Sequence, residues 1–160
     1  MNPDDSTPTA PLTWRSCPFD ALSLRELQHI YMARQEVFGI EQNCVYQDID
    51  GADEVSHHLA AWSPQHTMPL AYARLVAPGV KYAEPSIGRV VTIASARGTG
   101  LGRELMRRAL ALAAELYQGQ GVRISAQSRL EAFYGGMGFA IVGERYLEDG
   151  IPHTEMWLKN

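Results

Sequence analysis

From residue 12 onward the apolar and polar positions change period several times, and each change marks an element. Leu12 to Cys17 alternates as a short strand does. Ser23 and Glu26 stand at the spacing of a capping box. Leu24, Leu27, Ile30, Tyr31, Val37 and Phe38 then recur near a helical period, which predicts a helix to about Phe38. From Gly39 to Ser56 the pattern is lost, and Asn43, Asp48, Asp50 and Gly51 predict a long connection; such loops are uncommon unless functional. Three β-like runs follow, His57 to Trp62, Leu70 to Val76 and Ile87 to Ile93. Turns bearing Pro64, Pro69, Pro78, Gly79 and Pro85 separate them, as in an antiparallel meander.

The next segment changes to a helical period. Leu101, Leu105, Ala109, Leu112 and Leu116 form one face, widened by Met106, Leu110 and Ala113. Val122 to Ala126 reads as a strand, Ser128 to Met137 as a short helix closed near Gly138, and Phe139–Val142 and Thr154–Leu158 as closing strands. The expected fold is α/β in the α+β sense: one mixed sheet flanked by helices, in a single domain over residues 12–160. Residues 1–11, polar and proline-rich, read as a flexible tail; with Asp4 and Asp5 they are unlike a secretory signal.

Composition narrows the function. Of 160 residues, 46% are hydrophobic and 20% charged, within the globular range, and the net charge of −4 argues against wholesale nucleic-acid or membrane binding. Two cysteines, Cys17 and Cys44, are too few for a disulfide framework or a cysteine-based zinc site, so a reduced, cytoplasmic setting and no metal are expected. Twelve of the fourteen basic residues are arginine, the side chain suited to bidentate anion contacts.

Four of those arginines, Arg97, Arg103, Arg107 and Arg108, fall within twelve residues around Arg97-Gly98-Thr99-Gly100-Leu101-Gly102-Arg103, between a strand and the second helix. Glycines at a helix start let the backbone approach a ligand, and the unpaired first-turn N–H groups attract anions. A phosphate or pyrophosphate is the natural guest. The competing reading is a tight strand-to-helix turn with solvated arginines, Glu104 pairing Arg108 at i, i+4. A dinucleotide fingerprint is not matched, because Gly102 stands one position early, and no Gly-Lys-Ser/Thr follows for a nucleotide P-loop.

Between Arg34 and Arg74 there is no lysine or arginine, while Glu36, Glu41, Asp48, Asp50, Asp53 and Glu54 contribute six negative charges. This reads either as an acidic rim that concentrates an ammonium substrate or as a solvated acidic loop. A calcium loop is poorly matched, with Gly51 three positions after Asp48 and no glutamate at the twelfth.

Arg97, Gly100 and Gly102 form the R-x-x-G-x-G pattern, which resembles the pyrophosphate-binding signature of the GNAT acyltransferase superfamily. Gln127 through Tyr134 to Gly138-Phe139 resembles the segment in which members carry a tyrosine shortly before a Gly-Phe pair. More narrowly, Val37-Phe38, Glu41-Gln42-x-Cys44-x-Tyr46-Gln47, Asp50-Gly51-x-Asp53, His57-His58-Leu59, Ile87-Gly88-Arg89-Val90-Val91, Ser125-Ala126-Gln127 and Glu148-Asp149-Gly150-Ile151-Pro152-His153 look like its ElaA-like branch.

The resemblance implies a GNAT-like acyl-CoA N-acyltransferase fold, acetyl-CoA as acetyl donor, and transfer to a primary amine of a small molecule or peptide by direct attack in a ternary complex. It implies that backbone N–H groups from Gly98, Thr99, Gly100, Leu101, Gly102 and Arg103 hold the pyrophosphate. It places the pantetheine arm along Val90, Val91 and Thr92, and near Gln127, where members commonly carry asparagine. Tyr134 would protonate the departing thiolate; the alternative is a core tyrosine. Glu41, His57, His58, Glu144 and His153 are chemically able to accept a proton, and Glu41, His57 and His153 are expected on the acceptor side. Trp62 and Trp157 read as core or rim aromatics. A non-catalytic acyl-CoA-binding or sensing module and a dinucleotide-binding domain stand as alternatives, and a homodimer is open.

Overall fold

The computed structural model describes residues 10–160, so the expected tail lies outside the described residues apart from Ala10 and Pro11. The elements run β1 (Thr13–Pro18), α1 (Leu24–Arg34), β2 (Ser56–Trp62), β3 (Ala71–Val76), β4 (Ser86–Thr92), α2 (Leu101–Leu116), β5 (Val122–Gln127), α3 (Glu131–Gly135), β6 (Ala140–Ile141), β7 (Tyr146–Glu148) and β8 (Ile151–Leu158). They form one sheet in the order β1-β2-β3-β4-β5-β8-β6, with β7 also paired to β8. The expected meander is present: β1 to β4 pair antiparallel in chain order.

The capping box closes as the spacing predicts. Glu26 N–H donates to Ser23 Oγ at 3.0 Å, and Ser23 N–H to Glu26 Oε1 at 3.1 Å. The helix does not end at Phe38. After Arg34 it widens into a π-helical run, Gln35–Glu41, continued by i→i+5 bonds from Gln42 N to Val37 O and Cys44 N to Gly39 O. The closing region also differs from expectation: β8 begins at Ile151 rather than Thr154, and Tyr146–Glu148 folds back on it as a hairpin through Asp149 and Gly150, both at positive φ.

The pleat of the sheet sorts its side chains onto two layers. Leu59, Ala73, Ile87, Ile124, Ala126 and Met156 pack with Leu105, Met106 and Ala109 of α2 and with Tyr134 and Phe139. Ala60, Tyr72 and Val91 pack on the opposite face with Ile30, Ala33 and Val37 of the first helix. Along β5 this leaves Arg123, Ser125 and Gln127 on the face away from α2, and along β8 His153, Glu155 and Trp157.

One irregularity shapes the middle of the sheet. Tyr72 pairs with Val91 and Arg74 with Gly88, so three steps of β4 oppose two of β3, and the extra residue is accommodated with Arg89 at φ +50. Such a bulge bends its strand. On its other side β4 pairs with β5 only at Ser86 and Arg123, with Arg123 N–H donating to Pro85 O at 3.0 Å. Beyond that point the two strands diverge.

Candidate active site

The divergence of β4 and β5 opens a cleft of about 1040 Å³ through the middle of the sheet. Its walls carry Gly88, Arg89, Val90 and Thr92 of β4, Ser125, Ala126 and Gln127 of β5, Tyr134 of α3, and Glu148, Ile151 and His153 of the closing hairpin. Its floor is the glycine turn, with Arg97, Gly98, Gly100, Leu101, Gly102 and Arg103. Residues far apart in sequence therefore meet because two neighbouring strands fail to pair.

The turn has the geometry an anion needs. Gly98 and Gly100 stand at φ +77 and +82, where only glycine is unstrained, and a Cβ added to either would project into open space. Gly100 caps α2 without a side-chain hydrogen bond, and the first intrahelical bond is Glu104 N–H to Gly100 O. The N–H groups of Leu101, Gly102 and Arg103 thus stand at the positive end of a helix of 16 residues. The backbone fits a pyrophosphate. Gly102 faces Thr92 and Phe133, where a Cβ would make ordinary contacts at 3.5 Å to Thr92 Oγ1 and 3.8 Å to Phe133.

The arginine cluster divides more than its sequence suggests. Arg107 and Arg108 share Glu104, Arg108 lying also over the Trp14 ring at 4.5 Å, so these two realise the surface-pair reading. Arg97 folds back, donating through Nε to Thr92 O and through Nη2 to Glu41 Oε2 at 2.6 Å. Arg103 lines the cleft and makes no ion pair among the described residues.

Tyr134 lines the cleft and is almost wholly buried, edge-on to Phe133 and Phe139. Burial pushes its phenol up to about 12, with Arg129 opposing weakly, so the hydroxyl stays protonated throughout the neutral range. Gln127 donates to Gln42 Oε1 at 3.1 Å, which bridges the two sides of the cleft, and accepts from Arg129. Thr99 and Val91 are absent from the lining: Thr99 Oγ1 bonds to Ala96 O, and the Val91 side chain is buried against the first helix.

The acceptor-side residues separate. Glu41 and His153 line the cleft, whereas His57 does not; it lies on β2 between Leu75 and Pro18. His58 is buried, its Nε2–H donating to Asp53 O at 2.9 Å and its Nδ1 accepting from Tyr72 Oη at 2.8 Å. Burial holds it below the usual histidine range, against the pull of Asp53, so it is a neutral structural link. His153 Nδ1 lies 2.7 Å from Ile151 O and Nε2 lies 3.3 Å from Glu148 Oε2.

The three aspartates of the acidic interval do not form a rim. Asp48 and Asp53 clasp Arg34, and Asp50 and Asp53 clasp Arg74. Arg89 and Lys81 complete the network, setting four cations against three carboxylates. Arg34 and Arg74 are buried, and the aspartates pin the Asp48–Asp53 connection to the first helix through Arg34 and to β3 through Arg74. Burial alone would raise Asp50 and Asp53, but hydrogen bonds from the guanidinium groups overcome it and both fall below the usual carboxylate range.

Arg89, Gln42, Tyr46 and Glu148, to which the sequence pattern attaches no individual role, also line the cleft. The signal for Arg89 was a charge inside an otherwise β-like apolar run. The signal for Glu148 was the Asp-Gly turn beside it, which marks a hairpin.

Residues 26–160 match the family model described as an acetyltransferase (GNAT) domain. Protein ElaA of Escherichia coli is 35% identical over 147 residues, covering 91% of this chain and 95% of that protein. A UPF0039 protein of Synechocystis is 38% identical over 145 residues, with 91% and 94% covered. Among solved structures, an acyl-CoA N-acyltransferase from Pseudomonas aeruginosa superposes with a TM-score of 0.87 at 45% identity, covering 92% of this chain and 99% of that one. The crystal structure of E. coli ElaA superposes at 0.86 with 34% identity, covering 93% and 100%. A split sheet over a glycine-capped helix, matched along nearly its whole length by these relatives, makes this chain a member of the GNAT acetyltransferase family.

Proposed function

We propose that the chain is an acetyl-CoA-dependent N-acetyltransferase that passes the acetyl group to a primary amine by direct attack within a ternary complex. The observation that carries this reading is the divergence of β4 from β5 directly above the glycine turn. It leaves one edge of β4 unpaired from Gly88 onward, beside N–H groups suited to a pyrophosphate. The two amides of a pantetheine arm are able to pair with that edge as an added strand does, which brings the thioester toward Tyr134.

The chemistry then rests on two groups of this chain. A β4 backbone N–H near Val91 or Thr92 polarises the thioester carbonyl as its oxygen gains charge. Tyr134 gives its proton to the leaving thiolate. A thiol ordinarily titrates near ~8.5, below this phenol, but the site that disfavours a buried phenolate disfavours a buried thiolate as well.

The test is thiol release from acetyl-CoA across a panel of primary amines and peptides, with calorimetry of coenzyme A binding. Amine-dependent release through many turnovers is expected. Stabilisation by coenzyme A without transfer to any amine would mark a sensing module instead, and stabilisation by NAD as strong as by coenzyme A would mark a dinucleotide site.

A further inference from the structure

An alkylamine of pKa ~10.4 is almost wholly protonated at neutral pH and cannot attack until it loses a proton. The geometry points to His153 as the catalytic residue that takes that proton, with Glu148 as the residue that positions and steadies it. This inference rests on the N-acetyltransfer reading above. Both side chains line the cleft, His153 in register with Gln127 on β5 and with Tyr146 on β7.

The tautomer follows from the backbone. His153 Nδ1 lies 2.7 Å from the carbonyl oxygen of Ile151, an acceptor only, so Nδ1 carries the hydrogen. In the neutral ring Nε2 is therefore the basic atom, and it stands 3.3 Å from Glu148 Oε2. A proton arriving at Nε2 turns this approach into an imidazolium–carboxylate pair. The ring is further held by stacking on Tyr146, with centroids 6.0 Å apart and planes inclined by 27°. His58 is buried away from the cleft, and its one basic nitrogen, Nδ1, already accepts from Tyr72 Oη. Glu41 is committed to Arg97.

The proton balance closes with two groups. One proton passes from the ammonium to His153 Nε2 and later to solvent. The free amine forms the C–N bond and the C–S bond breaks; Tyr134 protonates the thiolate and is restored by the second proton leaving the new amide nitrogen. The products are the amide and free thiol.

The experiment compares wild type, His153→Gln and Glu148→Gln at one pH with ethylamine and its mono-, di- and trifluorinated derivatives, which differ chiefly in basicity. For ethylamine, His153→Gln should lower kcat/KM by about 10²–10³-fold. The loss should shrink to a few-fold for trifluoroethylamine, which needs no base, and Glu148→Gln should show the same trend at about ten-fold or less. An equal loss across the series, or none, overturns the assignment. Glu148 is half exposed, so its variant keeps the test meaningful if His153→Gln misfolds. If wild type transfers to no amine in the series or the wider panel, the N-acetyltransferase reading itself fails. The imidazole ¹⁵N spectrum of the ligand-free protein then still decides the geometry: hydrogen on Nδ1 in the neutral ring supports it, hydrogen on Nε2 overturns it.

Discussion

Glu41 Oε2 lies 2.6 Å from Arg97 Nη2, and this contact joins the end of the first helix to the turn that caps α2. It sets a carboxylate beside the place a pyrophosphate would occupy. Both side chains are partly exposed, so the pair itself contributes at most about 1 kcal/mol. Glu41→Gln should therefore leave the melting temperature nearly unchanged while tightening coenzyme A binding by about two- to five-fold. Calorimetry at low and high salt checks this: the gain should fade as salt screens it, and weaker binding in the variant would refute the arrangement.

Removing the Tyr134 hydroxyl costs no hydrogen bond among the described residues, whereas its ring is held by Phe133 and Phe139. Tyr134→Phe should keep both stability and coenzyme A affinity while lowering kcat by about 10²–10⁴-fold. Steady-state kinetics beside a thermal melt separates the two; a melting loss matching the activity loss would make Tyr134 a core residue.

Gly100→Ala introduces a Cβ that meets nothing within 4 Å, so any cost in the free protein comes from holding φ at +82. That strain is about 1–2 kcal/mol. Because the same Cβ enters the space a phosphate would fill, coenzyme A affinity should fall by at least about ten-fold. Urea unfolding and calorimetry measure the two effects independently.

The network under the Asp48–Asp53 connection should dominate stability. Arg34→Met leaves Asp53 buried with half its partners, a loss of about 3–5 kcal/mol, whereas Arg107→Ala on the exposed Glu104 pair should leave stability nearly unchanged. Denaturant midpoints of the two variants, read together, test whether burial rather than the number of ion pairs sets the cost.

Acid should destabilise the protein in two stages. His58 is held below its ordinary 6.5, so the unfolded chain takes up a proton there that the folded chain resists, and stability falls as pH drops below about 6.5. Asp50 and Asp53 are held low instead; their contribution is complete above the ordinary 3.8 and is lost only as pH falls below it. Thermal midpoints from pH 8 to 3 should show both declines, and His58→Asn should flatten the first.

Periodicity was enough for elements whose stability is local. The capping box at Ser23, the apolar stripe of α2 and the glycines that end in left-handed geometry follow from short-range rules, and so does a helix N-terminus offered to an anion. The wide π-helical extension to Glu41 was not legible, because its bonds depend on how the helix end packs. Nor was the hairpin at Asp149: Leu147 and Glu148 are exposed, so no alternation announces the strand.

Charge shows the division most plainly. That arginines gather around the glycine turn, and carboxylates in the stretch between Arg34 and Arg74, is written in the order of residues. It takes the folded chain to make Asp48, Asp50 and Asp53 internal partners of Arg34, Arg74, Arg89 and Lys81, and to turn Arg107 and Arg108 onto Glu104. Proximity along a chain fixes composition and local hydrogen bonding, but a Coulomb interaction falls with distance through space, and that distance is set by which strands pair and which part. The cleft itself has the same origin. It exists because one extra residue in β4 turns that strand away from β5, a fact about the register between strands that neither strand carries alone.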